Sequence, residues 1–314
     1  MKPVILAASP LHPLYVQALQ QDHDLIGPMD LAALAAHPAR PHIQILAASG
    51  ESRVSAALID ALPALRLIPV MGVGYDGVDV AHARSKGVVV THTPDVLNDD
   101  VADLAMGLML GVTRRLVQAD AHVRSGAWAK GPLPLATKLS GLRLGLVGMG
   151  RIGQAIAHRA LAFGMPVAYT ARQPRPHLPY TYHPDATSLA AASDVLCVIT
   201  PGGAATRHLI NAQVLQALGP RGFLVIVARG SVVDEAALVQ ALQAGQIAGA
   251  GLDVFENEPH PHPDLLAMPQ VMLTPHVGSA TQATRQAMVD LAMDNIHRYE
   301  NHQALATPVP ECRT

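Results

Sequence analysis

The first hundred residues alternate short apolar runs with longer Ala-rich and Leu-rich stretches. We predict buried strands in four of these runs, at Val4–Ala8, Ile43–Ala47, Leu67–Val70 and Val88–Thr91. Each run is brief, largely aliphatic and followed by turn-forming residues, which is typical of strands buried on both faces. Because the intervening stretches are typical of helices, the alternation favours a parallel sheet with helices on both faces.

A longer apolar pattern follows and predicts one helix that begins at Asn98 or Asp99 and ends before Gly126. Its apolar residues recur at helical spacing and form one stripe, made of Val101, Leu104, Ala105, Leu108, Met109, Val112 and Leu116. Acidic residues open the helix and arginines lie toward its end, as the helix dipole favours. We expect this helix to connect two domains, with the boundary near residue 99.

The alternation of strands and helices then resumes. Six further strands are predicted, at Leu144–Val147, Val167–Thr170, Val195–Ile199, Phe223–Val227, Ala248–Leu252 and Val271–Leu273. Helices are predicted at Ile152–Phe163, Asp234–Leu242 and Thr281–Glu300, and the Pro-rich segment Arg172–Pro184 is predicted to be a loop. The sequence therefore predicts an α/β protein with two doubly wound parallel-sheet domains.

Composition narrows the classes of function. A length of 314 residues suggests about two domains, and 50% hydrophobic against 15% charged residues excludes general disorder. The net charge of −2 argues against a nucleic-acid partner, and no apolar run is long enough for a membrane span. Cys197 and Cys312 are too few for a disulfide framework or a metal site. We therefore expect a cytoplasmic protein without a bound metal.

A glycine-rich segment between a predicted strand and a predicted helix carries the first chemical signal. Gly148, Gly150 and Gly153 have the G-x-G-x-x-G spacing of dinucleotide-binding loops. The first glycine allows a tight turn, the second lets the backbone approach a pyrophosphate, and the third lets the helix pack against the strand. The alternative is a glycine turn with a purely structural role.

The end of the next strand indicates which dinucleotide is bound. NAD-binding units usually carry an acidic residue about 20 residues after the first glycine, where it binds the ribose hydroxyls. Here no acid is present, and Arg172 and Arg175 lie where a 2′-phosphate is expected. The sequence therefore predicts that NADP(H) is preferred over NAD(H), the alternative being two solvated loop arginines.

Three polar residues follow three of the later predicted strands. Arg229, Glu258 and His276 each lie after the carboxyl end of a strand. Since ligands bind outside the carboxyl ends of strands in doubly wound sheets, we expect these side chains to converge.

Several segments resemble the D-isomer-specific 2-hydroxyacid dehydrogenase family, in particular its NADPH-dependent glyoxylate and hydroxypyruvate reductases. The resemblance extends over nearly the whole chain and includes residues 93–105, 126–128 and 227–234. It implies that residues 1–99 and 283–314 form a flavodoxin-like substrate domain. It also implies that residues 100–282 form an inserted Rossmann cofactor domain.

The resemblance also implies site residues. Arg229, Glu258 and His276 are the implied catalytic residues, and Val73 and Gly74 are implied to bind the substrate together with Arg229 and His276. The predicted cofactor set is Gly148, Met149, Gly150, Arg151, Ile152, Gly153, Ala171, Arg172, Gln173, Arg175, Thr200, Pro201, Val227, Ala228, Asp253 and Gly278. Within this set, the resemblance implies that Asp253 holds the nicotinamide carboxamide and that Thr200 and Pro201 line the adenosine end.

The implied reaction is reduction by NADPH of a small 2-oxo acid, such as glyoxylate, hydroxypyruvate or 2-ketogluconate, to the D-2-hydroxy acid. A homodimer is also implied, because in related reductases the tryptophan that corresponds to Trp128 can reach a neighbouring subunit. One alternative is a reductase of bulkier aryl pyruvates such as hydroxyphenylpyruvate. Another is a formate-dehydrogenase-like enzyme, against which Glu258 argues, since that class pairs its histidine with glutamine. The third is a non-enzymatic corepressor that senses dinucleotides.

Overall fold

The computed structural model describes residues 2–313 of the chain. Internal contacts divide the chain into two compact units. The first unit comprises the residues up to Leu97 together with those from Thr281 onward, and the second comprises Asn98–Ala280.

The first unit is built on a five-stranded parallel sheet. Its strands are β1 (Val4–Ala7), β2 (Asp24–Ile26), β3 (Ile45–Ser49), β4 (Leu67–Met71) and β5 (Val89–Thr91). The strand order is β2-β1-β3-β4-β5, which is the flavodoxin-like order. The connections leave in opposite directions from β1 and β3, so the point where ligands bind in such sheets lies after these two strands.

Helices of the first unit begin where polar side chains satisfy the first backbone N–H groups. The helices are α1 (Pro13–Asp22), α2 (Leu31–Ala36), α3 (Ala56–Asp60), α4 (Val80–Ser85) and, at the end of the chain, α12 (Gln282–Glu300). The side chains of Asp30, Ser55 and Asp79 accept hydrogen bonds from N–H groups in the first turns of α2, α3 and α4. These caps explain why the short helices begin where they do.

The second unit contains a seven-stranded parallel sheet. Its strands are β6 (Leu144–Val147), β7 (Val167–Thr170), β8 (Thr181–Tyr182), β9 (Val195–Val198), β10 (Phe223–Ile226), β11 (Gly249–Leu252) and β12 (Val271–Leu273). Their order is β12-β11-β10-β9-β6-β7-β8, so the direction of winding reverses between β6 and β9. Two doubly wound parallel sheets are the predicted fold class, which the structure confirms.

Helices cover both faces of this second sheet, which explains why its central strands are apolar throughout. They are α5 (Asn98–Arg114), α6 (Leu116–Arg124), α7 (Arg151–Ala162), α8 (Ala186–Ala191), α9 (Ala212–Leu218), α10 (Glu235–Gln243) and α11 (Pro263–Ala267). Every residue of β6, β9, β10 and β11 is buried.

The prediction of one unbroken helix from residue 98 to residue 125 is wrong. The structure has two helices, α5 and α6, and Arg115 between them has a left-handed backbone with φ of 55°. The Thr113 carbonyl, which would continue the helix, instead accepts a 3.0 Å bond from the Thr137 N–H. The Thr113 hydroxyl also donates to the Met109 carbonyl at 2.7 Å, a contact that bends helices. Tertiary pairing therefore breaks the helix that the apolar stripe predicts.

Two strands were absent from the sequence-based expectation. The strand β2 is only three residues long, and β8 lies inside the segment predicted to be a Pro-rich loop. Both are sheet edges whose residues are partly exposed, so they lack the apolar run of a buried strand.

The helices and the cysteines of residues 2–313 bear on two of the expectations from composition, those on membrane spans and on disulfides. No helix in this range is long and apolar enough to cross a membrane. Both cysteines are free thiols, with Cys197 buried inside β9 and Cys312 half-buried in the first unit.

Candidate active site

The loop from β6 to α7 requires glycine at two positions. Gly148 has φ of 109°, and a Cβ there would lie 3.0 Å from the carbonyl group of Ile199, directly after β9. At Gly153 a Cβ would lie 2.5 Å from the Gly148 carbonyl oxygen. Gly150, in contrast, faces open space, with nothing within 4 Å of an added Cβ. The turn is therefore tightly packed at Gly148 and Gly153 and open at Gly150, as a backbone that approaches a pyrophosphate must be.

Polar groups that can bind a ligand lie beside this open turn. The helix α7 begins at Arg151 and has no side chain capping its first N–H groups. The hydroxyl of Thr200, two residues after β9, is buried and has no hydrogen-bond partner among residues 2–313. The turn follows β6 and Thr200 follows β9, and these two strands flank the point where the winding of the sheet reverses. A helix N-terminus without a side-chain cap and a donor hydroxyl at this point fit the phosphates of a dinucleotide.

The two candidate arginines follow β7. Arg172 is exposed and Arg175 is partly exposed, and within the described residues neither guanidinium forms an ion pair with an acid. The course of this loop depends on two tyrosines that the sequence reasoning missed. The buried Tyr169 hydroxyl accepts a 2.6 Å bond from the Arg175 N–H, and the Tyr182 hydroxyl donates to the Ala171 carbonyl at 3.4 Å.

The remaining predicted cofactor residues lie at the same edge of the sheet, in loops except for Ile152, which is the second residue of α7. They are Met149 and Ile152 beside the glycines, Gln173 after β7, Pro201 after β9, Val227 and Ala228 after β10, and Gly278 after β12. Of these, Met149, Val227, Ala228 and Gly278 are buried, so their backbone atoms rather than their side chains are placed to contact a ligand.

His276 lies three residues after β12 in a left-handed conformation, with φ of 52°. Its backbone N–H donates to the Asp253 carbonyl at 2.8 Å, which ties this turn to the end of β11. Its ring nitrogen Nδ1 lies 2.8 Å from the Glu258 Oε2 atom. Since a carboxylate accepts and does not donate, Nδ1 carries the proton and Nε2 is the ring atom that can exchange one.

Both carboxylate oxygens of Glu258 accept hydrogen bonds. While Oε2 binds the imidazole, Oε1 accepts a 2.9 Å bond from the Phe255 N–H. Partial burial alone would raise the pKa of Glu258, but the hydrogen bonds from His276 and Phe255, with the charges of His276 and Arg229, lower it overall. Glu258 is therefore a carboxylate near neutral pH.

The loop that carries Glu258 is fixed by a second acid, Glu235, at the start of α10. Its two oxygens accept bonds from the N–H groups of Glu256 at 3.0 Å and of His262 at 2.8 Å, one on each side of Glu258. No motif in the sequence points to Glu235, because its partners are backbone groups more than twenty residues away.

Asp253, the first residue after β11, is only 1% exposed. Its carboxylate accepts bonds from the Thr274 hydroxyl at 2.6 Å, the Val277 N–H at 2.8 Å and the Gly278 N–H at 2.9 Å. Burial raises the pKa of Asp253 despite these bonds. The side chain thus organises the turn that carries His276, a role that the sequence did not reveal.

Arg229 follows β10 and is partly buried, with its Nη1 donating to the Ala228 carbonyl at 2.9 Å. Its charge acts on Glu258, so the two side chains lie within electrostatic range of each other. Val73 and Gly74 belong to the first unit, where they follow β4 and are partly exposed.

Comparisons with known proteins agree on one family. Residues 106–278 match the family described as D-isomer specific 2-hydroxyacid dehydrogenase, NAD binding domain. The chain is 47% identical over 267 residues to a hydroxyphenylpyruvate reductase of Plectranthus scutellarioides, covering 85% of each chain. It is 43% identical over 308 residues to a 2-ketogluconate reductase of Gluconobacter oxydans, covering 98% of this chain and 99% of the relative. A crystal structure of NADPH-dependent glyoxylate/hydroxypyruvate reductase from Sinorhizobium meliloti, in complex with NADP and malonate, matches with TM-score 0.94. Its sequence identity is 47%, covering 99% of this chain and 98% of that one.

Proposed function

The chain belongs to the D-isomer specific 2-hydroxyacid dehydrogenase family, and we propose that it reduces a small 2-oxo acid to the D-2-hydroxy acid with NADPH. The observation that carries this proposal is the 2.8 Å contact between His276 and Glu258 at the edge of the sheet that bears the open glycine turn. Glyoxylate, hydroxypyruvate and 2-ketogluconate are the proposed substrates, since structural and sequence relatives are named for them.

NADPH, when bound, supplies the hydride. We propose that residues 100–282 form the cofactor domain, and residues 1–99 with 283–314 the substrate domain. The turn from Gly148 to Gly153 and the N-terminus of α7 would hold the pyrophosphate, with Arg172 and Arg175 binding the 2′-phosphate. Asp253 has acceptor capacity left for the carboxamide, because a carboxylate can accept about four hydrogen bonds.

In the proposed mechanism the three polar side chains have different tasks. Arg229 polarises the C2 carbonyl and stabilises the negative charge that develops on its oxygen. His276 donates the Nε2 proton to that oxygen. Glu258 orients the imidazole through Nδ1 and favours its protonated form.

The N–H groups of Val73 and Gly74 are the proposed donors to the substrate carboxylate. Within residues 2–313 neither N–H donates to a protein acceptor. Two neighbouring backbone donors without partners suit an anion.

We also propose that the protein is a homodimer that associates through residues 116–135. Five of the eight large hydrophobic side chains exposed in the described residues fall in this segment: Leu116, Val117, Val123, Trp128 and Leu135. An apolar surface of this density is typical of a subunit interface. Analytical ultracentrifugation should show a dimer, and the double substitution Val123→Glu with Trp128→Glu should give monomers.

The decisive experiment measures NADPH oxidation with a panel of 2-oxo acids. We expect higher kcat/KM for glyoxylate, hydroxypyruvate or 2-ketogluconate than for 4-hydroxyphenylpyruvate. The similarity to a hydroxyphenylpyruvate reductase supports the aryl alternative, which a reversed ranking would establish. Binding of NADPH without turnover of any acid would contradict the proposal and favour a non-enzymatic sensor of dinucleotides.

A further inference from the structure

The loop that contains Val73 and Gly74 is held from one side by the segment that follows β5. The Thr93 N–H donates to the Gly72 carbonyl at 2.8 Å. The Nδ1 atom of His92 lies 3.0 Å from the Val73 carbonyl oxygen. A carbonyl oxygen only accepts, so the imidazole donates this bond. Two successive carbonyls of the loop are therefore bound by two successive residues.

This pairing fixes the direction of the two N–H groups. The Gly72 carbonyl shares a peptide unit with the Val73 N–H, and the Val73 carbonyl shares one with the Gly74 N–H. Neither unit is cis, and in a trans peptide the C=O and N–H bonds point in opposite directions. Since both carbonyls face the segment after β5, both N–H groups are directed away from it.

His92 is itself held tightly. The residue is 7% exposed, and its ring packs edge-on against Tyr75, with ring centroids 5.3 Å apart. Its backbone carbonyl accepts a 2.6 Å bond from the Thr307 hydroxyl, and its N–H donates to the Thr307 carbonyl at 3.1 Å. The fully buried Asn295 of α12 in turn binds Thr307. The donor on the Val73 carbonyl is therefore presented from a rigid support.

We propose that His92 is a positioning residue for substrate binding, which orients and polarises the peptide between Val73 and Gly74 so that the Gly74 N–H binds the substrate carboxylate. A donor on the carbonyl oxygen strengthens the N–H of the same peptide as a donor. His92 thus acts on the substrate through the backbone. This inference rests on the proposed function, since it needs a 2-oxo acid whose carboxylate binds this loop.

The test compares three replacements of His92. The variant His92→Asn keeps an amide donor close to the position of Nδ1. The variant His92→Gln moves that donor outward by one bond, and His92→Phe keeps the ring beside Tyr75 without any donor. Tyr75→Phe is the matched control, because it removes only the hydroxyl that donates to Glu311.

Steady-state kinetics with NADPH should separate orientation from a general structural effect. For His92→Gln and His92→Phe we expect the KM for glyoxylate to rise roughly three- to tenfold, the factor for one lost hydrogen bond. Their kcat and their KM for NADPH should stay within about twofold. Reduction of methylglyoxal, a neutral 2-oxo aldehyde without a carboxylate, should not change. His92→Asn and Tyr75→Phe should behave like the wild type.

Two results would overturn the inference. One is a glyoxylate KM that is the same in His92→Asn and His92→Gln as in the wild type. Both variants are polar replacements of modest size and differ in where they place the donor. The other is an equal loss with methylglyoxal, which would show a general disturbance of the fold. A wild type that reduces no 2-oxo acid contradicts the proposed function instead, so the two failures are distinguishable in one assay.

Discussion

The loops at the carboxyl edge of the second sheet fall into two groups that keep their shape by opposite means. The loops after β6 and β9 depend on missing side chains: Gly148 and Gly153 let backbone segments approach to distances that any Cβ would prevent. The loops after β11 and β12 depend on carboxylates. Asp253, Glu258 and Glu235 all accept hydrogen bonds from backbone N–H groups of these loops.

This difference teaches that one edge can hold two sites that are separable by mutation. A glycine turn without side-chain cross-links leaves its N–H groups for a ligand. A network of carboxylates uses its acceptors to fix the position and protonation of one imidazole. Substitutions of Glu258 or His276 should therefore impair proton transfer without weakening cofactor binding, and substitutions beside the glycine turn should do the reverse.

The largest expected effect tests the carboxylate-supported group. His276→Ala should lower kcat by roughly 10²–10⁴, the usual loss for a general acid. The Kd for NADPH, measured by fluorescence titration, should stay within about twofold. The exposed His260 lies three residues before α11 begins at Pro263 and provides the control His260→Ala, which should retain activity. Full activity in His276→Ala would remove the histidine from the mechanism.

The next effect tests the group beside the glycine turn. One charge-assisted hydrogen bond to a 2′-phosphate predicts a preference for NADPH over NADH of roughly 10- to 100-fold. Arg172→Asp should repel the phosphate and shift kcat/KM toward NADH, while the glyoxylate KM stays unchanged. Arg221→Asp is the control, because Arg221 is exposed before β10 at the opposite edge. Equal use of both cofactors by the wild type would mean that Arg172 and Arg175 are solvated side chains.

A third prediction separates support from chemistry. Asp253→Asn places an amide in a buried site where the hydrogen-bond partners of the side chain are N–H and O–H donors. The NH2 group of the asparagine must therefore face one of these donors. We expect a loss of about 1–3 kcal/mol in the free energy of unfolding, measured with urea. The exposed Asp264→Asn should cost less than about 0.5 kcal/mol. Unchanged stability in Asp253→Asn would show that these bonds do not support the turn.

The smallest effect concerns the pH profile. Glu258 is ionised near neutral pH because its pKa is lowered overall: partial burial raises it, but the hydrogen bonds from His276 and Phe255 and the charges of His276 and Arg229 together outweigh burial. Glu258→Gln removes that negative charge, so the imidazolium form of His276 is lost at lower pH. The alkaline limb of kcat/KM for reduction should therefore move down by roughly 0.3–1 pH unit. A limb that stays in place or moves up would contradict the assigned pairing.

Local signals in the sequence predicted most of the framework. The glycine spacing is contained in six residues, and the apolar runs located ten of the twelve strands found in residues 2–313, all but β2 and β8. The rule that ligands bind at carboxyl ends of strands led to Arg229, Glu258 and His276, whose catalytic roles stay predictions. The sequence could not reveal the break at Arg115, because it depends on Thr137 taking a carbonyl from the helix.

The supporting residues were hidden for the same physical reason. Glu235 and Asp253 act on backbone groups, and a backbone N–H leaves no mark in the sequence of the segment that contains it. His92 acts on a carbonyl nineteen residues earlier in the chain. Such contacts become visible only when strands that are distant in sequence lie side by side.

The placement of the two cysteines gives the chain its own chemical reporters of unfolding. Cys197 is fully buried in β9 of the second sheet, where desolvation raises the pKa of its thiol to about 12. Cys312 lies half-buried in the first unit. Because only a thiolate reacts readily with alkylating reagents, Cys197 is inert until its sheet opens. Alkylation of Cys197 in rising denaturant, measured against that of the partly accessible Cys312, will therefore show when the second unit opens, without any engineered label.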